Sequence, residues 1–224
     1  MSVDEIHLRK LLQLFDAPAN KRQSLLREEI RQEIRRKQGL NTGGQDFYGP
    51  FWADAKKYVS EGTNLNDQTA FRVGRNDKRA RLYPLLKTGF LDWWENKRRW
   101  RNEPFEFLQM SVNSRFEISE LNAVVKVQNL LALGVGSGGT RIIYPYFSEV
   151  PSLSADTARI GLWVLKESLP DFAPEDMRIL DILRSRSFAI SDVPFRGNER
   201  EICLRTYRKV LFEWERLSEE YLVA

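Results

Sequence analysis

The chain holds one histidine, His7, and one cysteine, Cys203, in 224 residues. A lone cysteine excludes an internal disulfide, and together the two cannot supply the thiolates and imidazoles of a structural zinc site. Ser-His-Asp or Cys-His catalysis would have to recruit His7 from a predicted N-terminal helix, whereas such machinery needs its histidine held and oriented by packed structure. No apolar run approaches the ~20 residues of a membrane span. The opening MSVDEIHLRK mixes acid and base without an apolar signal core, which predicts a chain that is not exported and a cytoplasmic location. No segment repeats and none is of low complexity.

What is present describes a globular chain. Apolar residues make up 42% and charged residues 29%, and the length suits one domain, with or without an appended arm. The net charge of +4 conceals an asymmetry: residues 1–101 carry 21 Lys and Arg against 13 Asp and Glu, and the rest of the chain is acidic by four. A basic half beside an acidic half points to an anionic partner for the basic one.

Residues 123–149 organise the remainder. Val124, Val125, Val127, Leu130, Leu131 and Leu133 form a near-continuous apolar run, the pattern of a strand covered on both faces. Gly134, Gly136, Gly138 and Gly139 permit a tight reversal, and Ile142, Ile143, Tyr144, Tyr146 and Phe147 return as a second strand. Pro145 lacks an N–H, which predicts an edge, a bulge or an end there. The turn lacks the G-x-G-x-x-G spacing and the following helix of a phosphate cradle.

Helices are predicted over residues 4–15, 20–38, 50–60 and, for the most part, 79–101. Residues 39–49 read as a linker and 62–76 as a polar loop. Phe105 to Ile118 reads as a strand pair or one long bent strand. Ser154 caps a helix that Pro170 ends, residues 177–190 are strand-like, and 198–221 form a long helix. In that helix Cys203, Tyr207, Val210, Trp214, Leu217 and Tyr221 share a face. Trp163 and Trp214 are predicted to be largely buried. Residues 1–46 read as a helical arm and 47–224 as an α/β domain with a mixed central sheet flanked by helices.

This order of elements, over about residues 47–221, resembles the RecB-like branch of the PD-(D/E)XK nuclease fold. The resemblance implies a restriction-endonuclease-like sheet, with an Asp and a Glu-x-Lys on the hairpin holding Mg²⁺. At those positions the first strand offers Lys126, Gln128 and Asn129, and the second offers Tyr144 to Tyr146. The following helix carries Ala158, Arg159 and Trp163 instead of a Gln/Tyr motif. The expected protein is therefore a non-catalytic module without a cofactor. An Mg²⁺-dependent nuclease with a displaced site built from Glu117, Glu149 and Lys166 is the alternative.

The strongest functional signal is cationic. Residues 72–101 hold ten basic against three acidic side chains. Arg72, Arg75, Lys78, Arg79 and Arg81 come first. Lys97, Arg98, Arg99 and Arg101 then crowd around Trp93, Trp94 and Trp100. Cations neutralise phosphate and exposed aromatics stack on unpaired bases, so the segment predicts binding of DNA or RNA, the module either binding nucleic acid or acting as a subunit of a larger nucleic-acid-processing or defence assembly. A purely protein-binding domain with an acidic partner is a further reading.

Overall fold

The computed structural model describes residues 3–40, 47–98, 102–108, 113–136 and 139–222. It opens with strand β1 (Glu5–His7) and helices α1 (Leu8–Asp16) and α2 (Ala19–Lys37). Helices α3 (Gly49–Glu61), α4 (Leu65–Gly74) and α5 (Leu82–Asp92) follow, and α5 runs into a π-helical turn at Trp93–Lys97. Strands β2 (Phe105–Phe107), β3 (Ser114–Ile118), β4 (Ala123–Val127), β5 (Leu131–Val135) and β6 (Gly139–Tyr146) come next. Helix α6 (Ala155–Ser168) then connects β6 to β7 (Met177–Asp181) and β8 (Arg186–Phe188), before α7 (Glu199–Leu222).

The apolar run at 123–135 is two strands in two sheets, not one strand. β4 lies in a three-stranded sheet of order β1-β4-β3, parallel to β1 and antiparallel to β3. β5 lies in a five-stranded mixed sheet of order β2-β5-β6-β7-β8, in which β6 and β7 run parallel and the other pairs antiparallel. Asn129 makes the break with φ +63°, a left-handed conformation that asparagine tolerates better than most residues. The predicted hairpin is β5–β6, and β6 is the central strand of the larger sheet. Residues 105–118 likewise divide, β2 at the edge of the larger sheet and β3 in the smaller one.

Side-chain alternation sends the larger sheet into two cores. Ala132, Ile142, Tyr144 and Ile179 face one cluster with α1, α6 and α7. Leu131, Leu133, Ile143 and Leu180 face the other, with Trp52 of α3 and Phe90 of α5. Close approach fixes both contacts. A Cβ on Gly161 of α6 would collide with Ile179, and one on Gly89 of α5 would collide with the carbonyl oxygen of Ile182.

Residues 3–40, expected as part of an arm, contribute directly to this core. Leu8, Leu11, Leu12 and Leu14 are fully buried. The helix expected from residue 4 begins at Leu8, because residues 5–7 are drawn into parallel pairing with β4. The polar stretch expected as a loop contains α4, whose first turn is capped by the Asn64 side chain accepting from the Asn66 and Asp67 amides. The Ser154 cap of α6 is present, accepting from Thr157 N at 3.1 Å.

Trp163 is buried against Phe116 of β3, ring centroids 5.5 Å apart. Trp214 is only half-buried, because α7 presents it at the margin of the core. Trp163→Ala should cost about 3–5 kcal/mol and Trp214→Ala about 1–2 kcal/mol, measured by chemical denaturation. Equal costs would show that α7 is seated differently.

Helix α2 is held to α7 by a forked pair, Arg22 Nε and Nη2 to the Glu213 carboxylate, both at 2.7 Å and little exposed. These hydrogen bonds hold the Glu213 carboxyl below its ordinary 4.5. The unfolded chain takes up the proton first, so the stabilisation is complete at neutral pH and is lost as pH falls from 4.5 through the depressed value. Arg22→Ala should therefore lose about 3 kcal/mol near neutrality, with the gap to wild type narrowing in acid, as followed by denaturation midpoints across pH.

Candidate functional site

The basic segment divides into cations paired with carboxylates of the same chain, the buried Arg79 and half-buried Arg98 set over aromatic rings, and exposed cations with no carboxylate partner among the described residues. Arg72 of α4 forks onto Asp54 of α3 at 2.8 and 2.9 Å, and Asp54 is itself buried. Arg81 forks onto Glu149, both contacts at 2.6 Å. Lys97 meets Asp92 at 2.7 Å. Arg79 is buried with its guanidinium over the Tyr83 ring at 5.3 Å.

Arg98 is half-buried, 3.8 Å above the Trp94 ring and 5.4 Å from that of Phe105. Burial lowers its pKa. Its backbone is extended, with ψ 129°, so the helix does not continue past residue 97 to align further cations. Arg99, Trp100 and Arg101 lie outside the described residues.

Trp93 and Trp94 are 1% and 5% exposed and belong to the core under α3 and α5, which removes them as base-stacking platforms. Their apolar faces complete the stripe of Leu82, Leu86 and Phe90 on the same helix.

Arg75 and Lys78 are exposed, and neither has a carboxylate partner among the described residues. Arg75 lies 4.3 Å over the ring of Phe71, one turn earlier, and Phe71 is 51% exposed. An arginine stacked on an exposed ring leaves a phosphate-seeking charge beside a surface that a base can cover. Phe71 escapes sequence reasoning because the polar α4 segment reads as loop. The i, i+4 spacing of Phe71 and Arg75 is the signal that could have found it.

Glu117, Glu149 and Lys166 do not form a site. Glu117 sits on β3 in the smaller sheet, Glu149 is clamped by Arg81, and Lys166 contacts Glu167 at 3.2 Å. Among the described residues no group of three or more His, Cys, Asp or Glu is arranged to hold a metal. Cys203 is buried, and burial pushes its thiol up to about 12, far from a reactive thiolate. Of the other positions noted in the sequence, Lys126 pairs with Glu5 at 2.9 Å and Arg159 lies 3.3 Å from the buried Glu199.

A cleft opens where the two sheets part. The β5 ladder on β6 ends at Leu131 opposite Ile143, while β7 continues to pair as far as Tyr146. Pro145 stands beyond the end of β5, the edge expected of a residue without an N–H. The cleft is nearly filled by its own lining, Trp52, Tyr144 and Phe147 being buried. Trp52, Tyr144 and Phe147 provide aromatic walls, Gln128 and Asn129 provide amides, and His7 and Arg9 stand at the start of α1. Trp52 Nε1 donates to the Asn129 carbonyl at 2.5 Å, and the Arg9 amide donates to the Tyr144 hydroxyl at 2.7 Å.

The segment leaving the cleft is anchored. Arg184 donates to the carbonyls of Ser148 and Glu149 and to the Asp181 carboxylate. Burial raises the Asp181 pKa, with Arg184 opposing the shift. Among the described residues no helix is long and apolar enough to cross a membrane. No protein-family model and no curated protein matches the chain.

The two kinds of cation predict different responses. Arg72→Ala strands the buried Asp54 carboxylate and should cost about 1–3 kcal/mol. Arg75→Ala and Lys78→Ala should each stay within about 0.5 kcal/mol of wild type. Thermal and chemical unfolding of the three variants would check this.

Proposed function

We propose that the chain is a non-catalytic nucleic-acid-binding module of nuclease-like fold, working as a subunit of a larger nucleic-acid-processing assembly. The observation that carries this reading is the Phe71–Arg75 stack, an outward, uncompensated cation on an exposed ring, with a second such cation, Lys78, three residues further along the chain. Support for the nuclease-like frame comes from the β5–β6 hairpin, with β2 antiparallel at the β5 edge, followed by a connection through α6 to the parallel β7. The non-catalytic part rests on residue chemistry. Metal-assisted phosphodiester hydrolysis needs convergent carboxylates, and the nearest candidates are dispersed over two sheets or bound to arginine.

Fluorescence anisotropy with single-stranded and duplex DNA and RNA, at two salt concentrations, tests the proposal. Arg75→Glu with Lys78→Glu should weaken binding. It should also flatten the slope of log affinity against log salt by about 0.7–0.9 for each phosphate no longer neutralised. Phe71→Ala should weaken single strands by about 1–3 kcal/mol and leave duplexes little changed. Absence of binding at low salt would reject nucleic acid and favour an acidic protein partner. Nicking in Mg²⁺ or Mn²⁺ that Glu149→Ala abolishes would overturn the non-catalytic assignment.

A further inference from the structure

One arginine of the basic segment is buried without an acceptor. Arg79 is 7% exposed, and its Nε is closed to water with no hydrogen-bond partner. Among the described residues no carboxylate pairs with it, those beside its neighbours being taken, Asp54 by Arg72 and Glu149 by Arg81. Its guanidinium lies over the Tyr83 ring, 5.3 Å from the centroid. A buried cation without acceptors is costly, and an arriving anion removes that cost.

This cation stands at the start of a helix. Tyr83 is the second residue of α5, and helical side chains lean back toward the N-terminus, so a guanidinium over that ring lies beside the first turn. No side chain caps α5. The first amides of the helix, at Leu82 and Tyr83, have no acceptor within it, and both residues are buried. Such a start joins free amides to the positive end of the helix dipole, a combination that suits phosphate. Tyr83 is itself fixed: its hydroxyl donates to the Phe47 carbonyl at 2.7 Å, and its ring makes T-shaped contacts with Phe47 and Phe51. The cation it carries is therefore ordered before a ligand arrives, which lowers the entropic cost of binding.

Depth selects the form of phosphate. A phosphodiester within a strand has a sugar on each side and follows the surface, where Arg75 and Lys78 are exposed. A terminal phosphate has one substituent and three free oxygens, carries close to a second negative charge near neutral pH, and can meet a recessed arginine fork with two oxygens. Lys78 immediately precedes Arg79, which sets an outward cation next to the inward one.

We propose that Arg79 and the start of α5 bind the terminal phosphate of a nucleic-acid strand whose internal phosphates lie along Lys78 and Arg75. The inference rests on the nucleic-acid-binding reading above and adds to it the recognition of a strand end.

The test measures fluorescence anisotropy of the full chain with one internally labelled single strand in three forms: 5′-phosphorylated, 3′-phosphorylated, and hydroxyl at both ends. One phosphorylated form should bind at least about tenfold more tightly than the hydroxyl form, the worth of one charge-assisted fork. Arg79→Gln, which lacks the charge, should lose that preference. Equal affinity for the three forms, a comparison that needs no variant, would overturn the inference and leave the backbone-binding reading standing. A preference that survives in Arg79→Gln would overturn the assignment to Arg79. Thermal unfolding in inorganic phosphate, with chloride at equal ionic strength as the reference, separates the two readings. A Tm raised by phosphate in wild type but not in Arg79→Gln, with no oligonucleotide bound at low salt, would support the site and overturn the strand-binding reading. No phosphate effect on wild type together with no oligonucleotide binding would overturn both.

Discussion

The hydrogen bond from Trp52 to the backbone carbonyl of Asn129 sits at the junction on which the architecture turns. It pins helix α3 to the residue where one apolar ribbon leaves the smaller sheet and enters the larger. Before that residue, β4 pairs with β1 and β3; after it, β5 pairs with β2 and β6. Because β1 lies beside β4, the helix that follows it is carried onto α6, where Gly161 lets Leu12 approach. The N-terminal segment thus belongs to the core as a consequence of where the ribbon bends. The same bend leaves the end of β6 without a ladder partner on its β5 side, where the cleft lies.

Charge is distributed by the same logic. The formal excess of residues 72–101 is large in sequence, but carboxylates from distant segments absorb part of it: Asp54 from α3 takes Arg72, and Glu149 from the end of β6 takes Arg81. The exposed Arg81–Glu149 contact contributes little to stability in water. It does tie the segment that follows β6 to the start of α5. Among the described residues, Arg75 at the end of α4 and Lys78 in the turn that follows it remain outward without a carboxylate partner. Stacking on Phe71 orders the Arg75 guanidinium without consuming its charge.

Much of the frame was legible in the sequence because the signals are local. Ser154 announced α6, the period of Cys203, Tyr207, Val210 and Leu217 announced α7, and the glycines after Leu133 announced the β5–β6 turn. Polar composition concealed α4, since its stability comes from a cap at Asn64 and from packing on α3 and α5 more than from an apolar stripe. The tryptophans of the DWWENK segment were ambiguous for a comparable reason. An aromatic beside arginines reads alike whether its face meets solvent or a sheet, and only the seating of α5 on Ile182 put Trp93 and Trp94 inside.

The sequence by itself determined the alternation of helices and strands, the mixed α/β class, the absence of paired carboxylates along the hairpin strands and the cationic bias of the first half. These follow from residue type and spacing within a few turns of chain. Tertiary structure decided which strand joins which sheet, which arginines are neutralised and which aromatics are left outside. It also decided that Gln128, Asn129, Trp52 and Tyr144 meet around one cleft. Those outcomes depend on contacts between segments far apart in sequence, and a run of apolar residues, or of cations, carries no record of the partner it will meet.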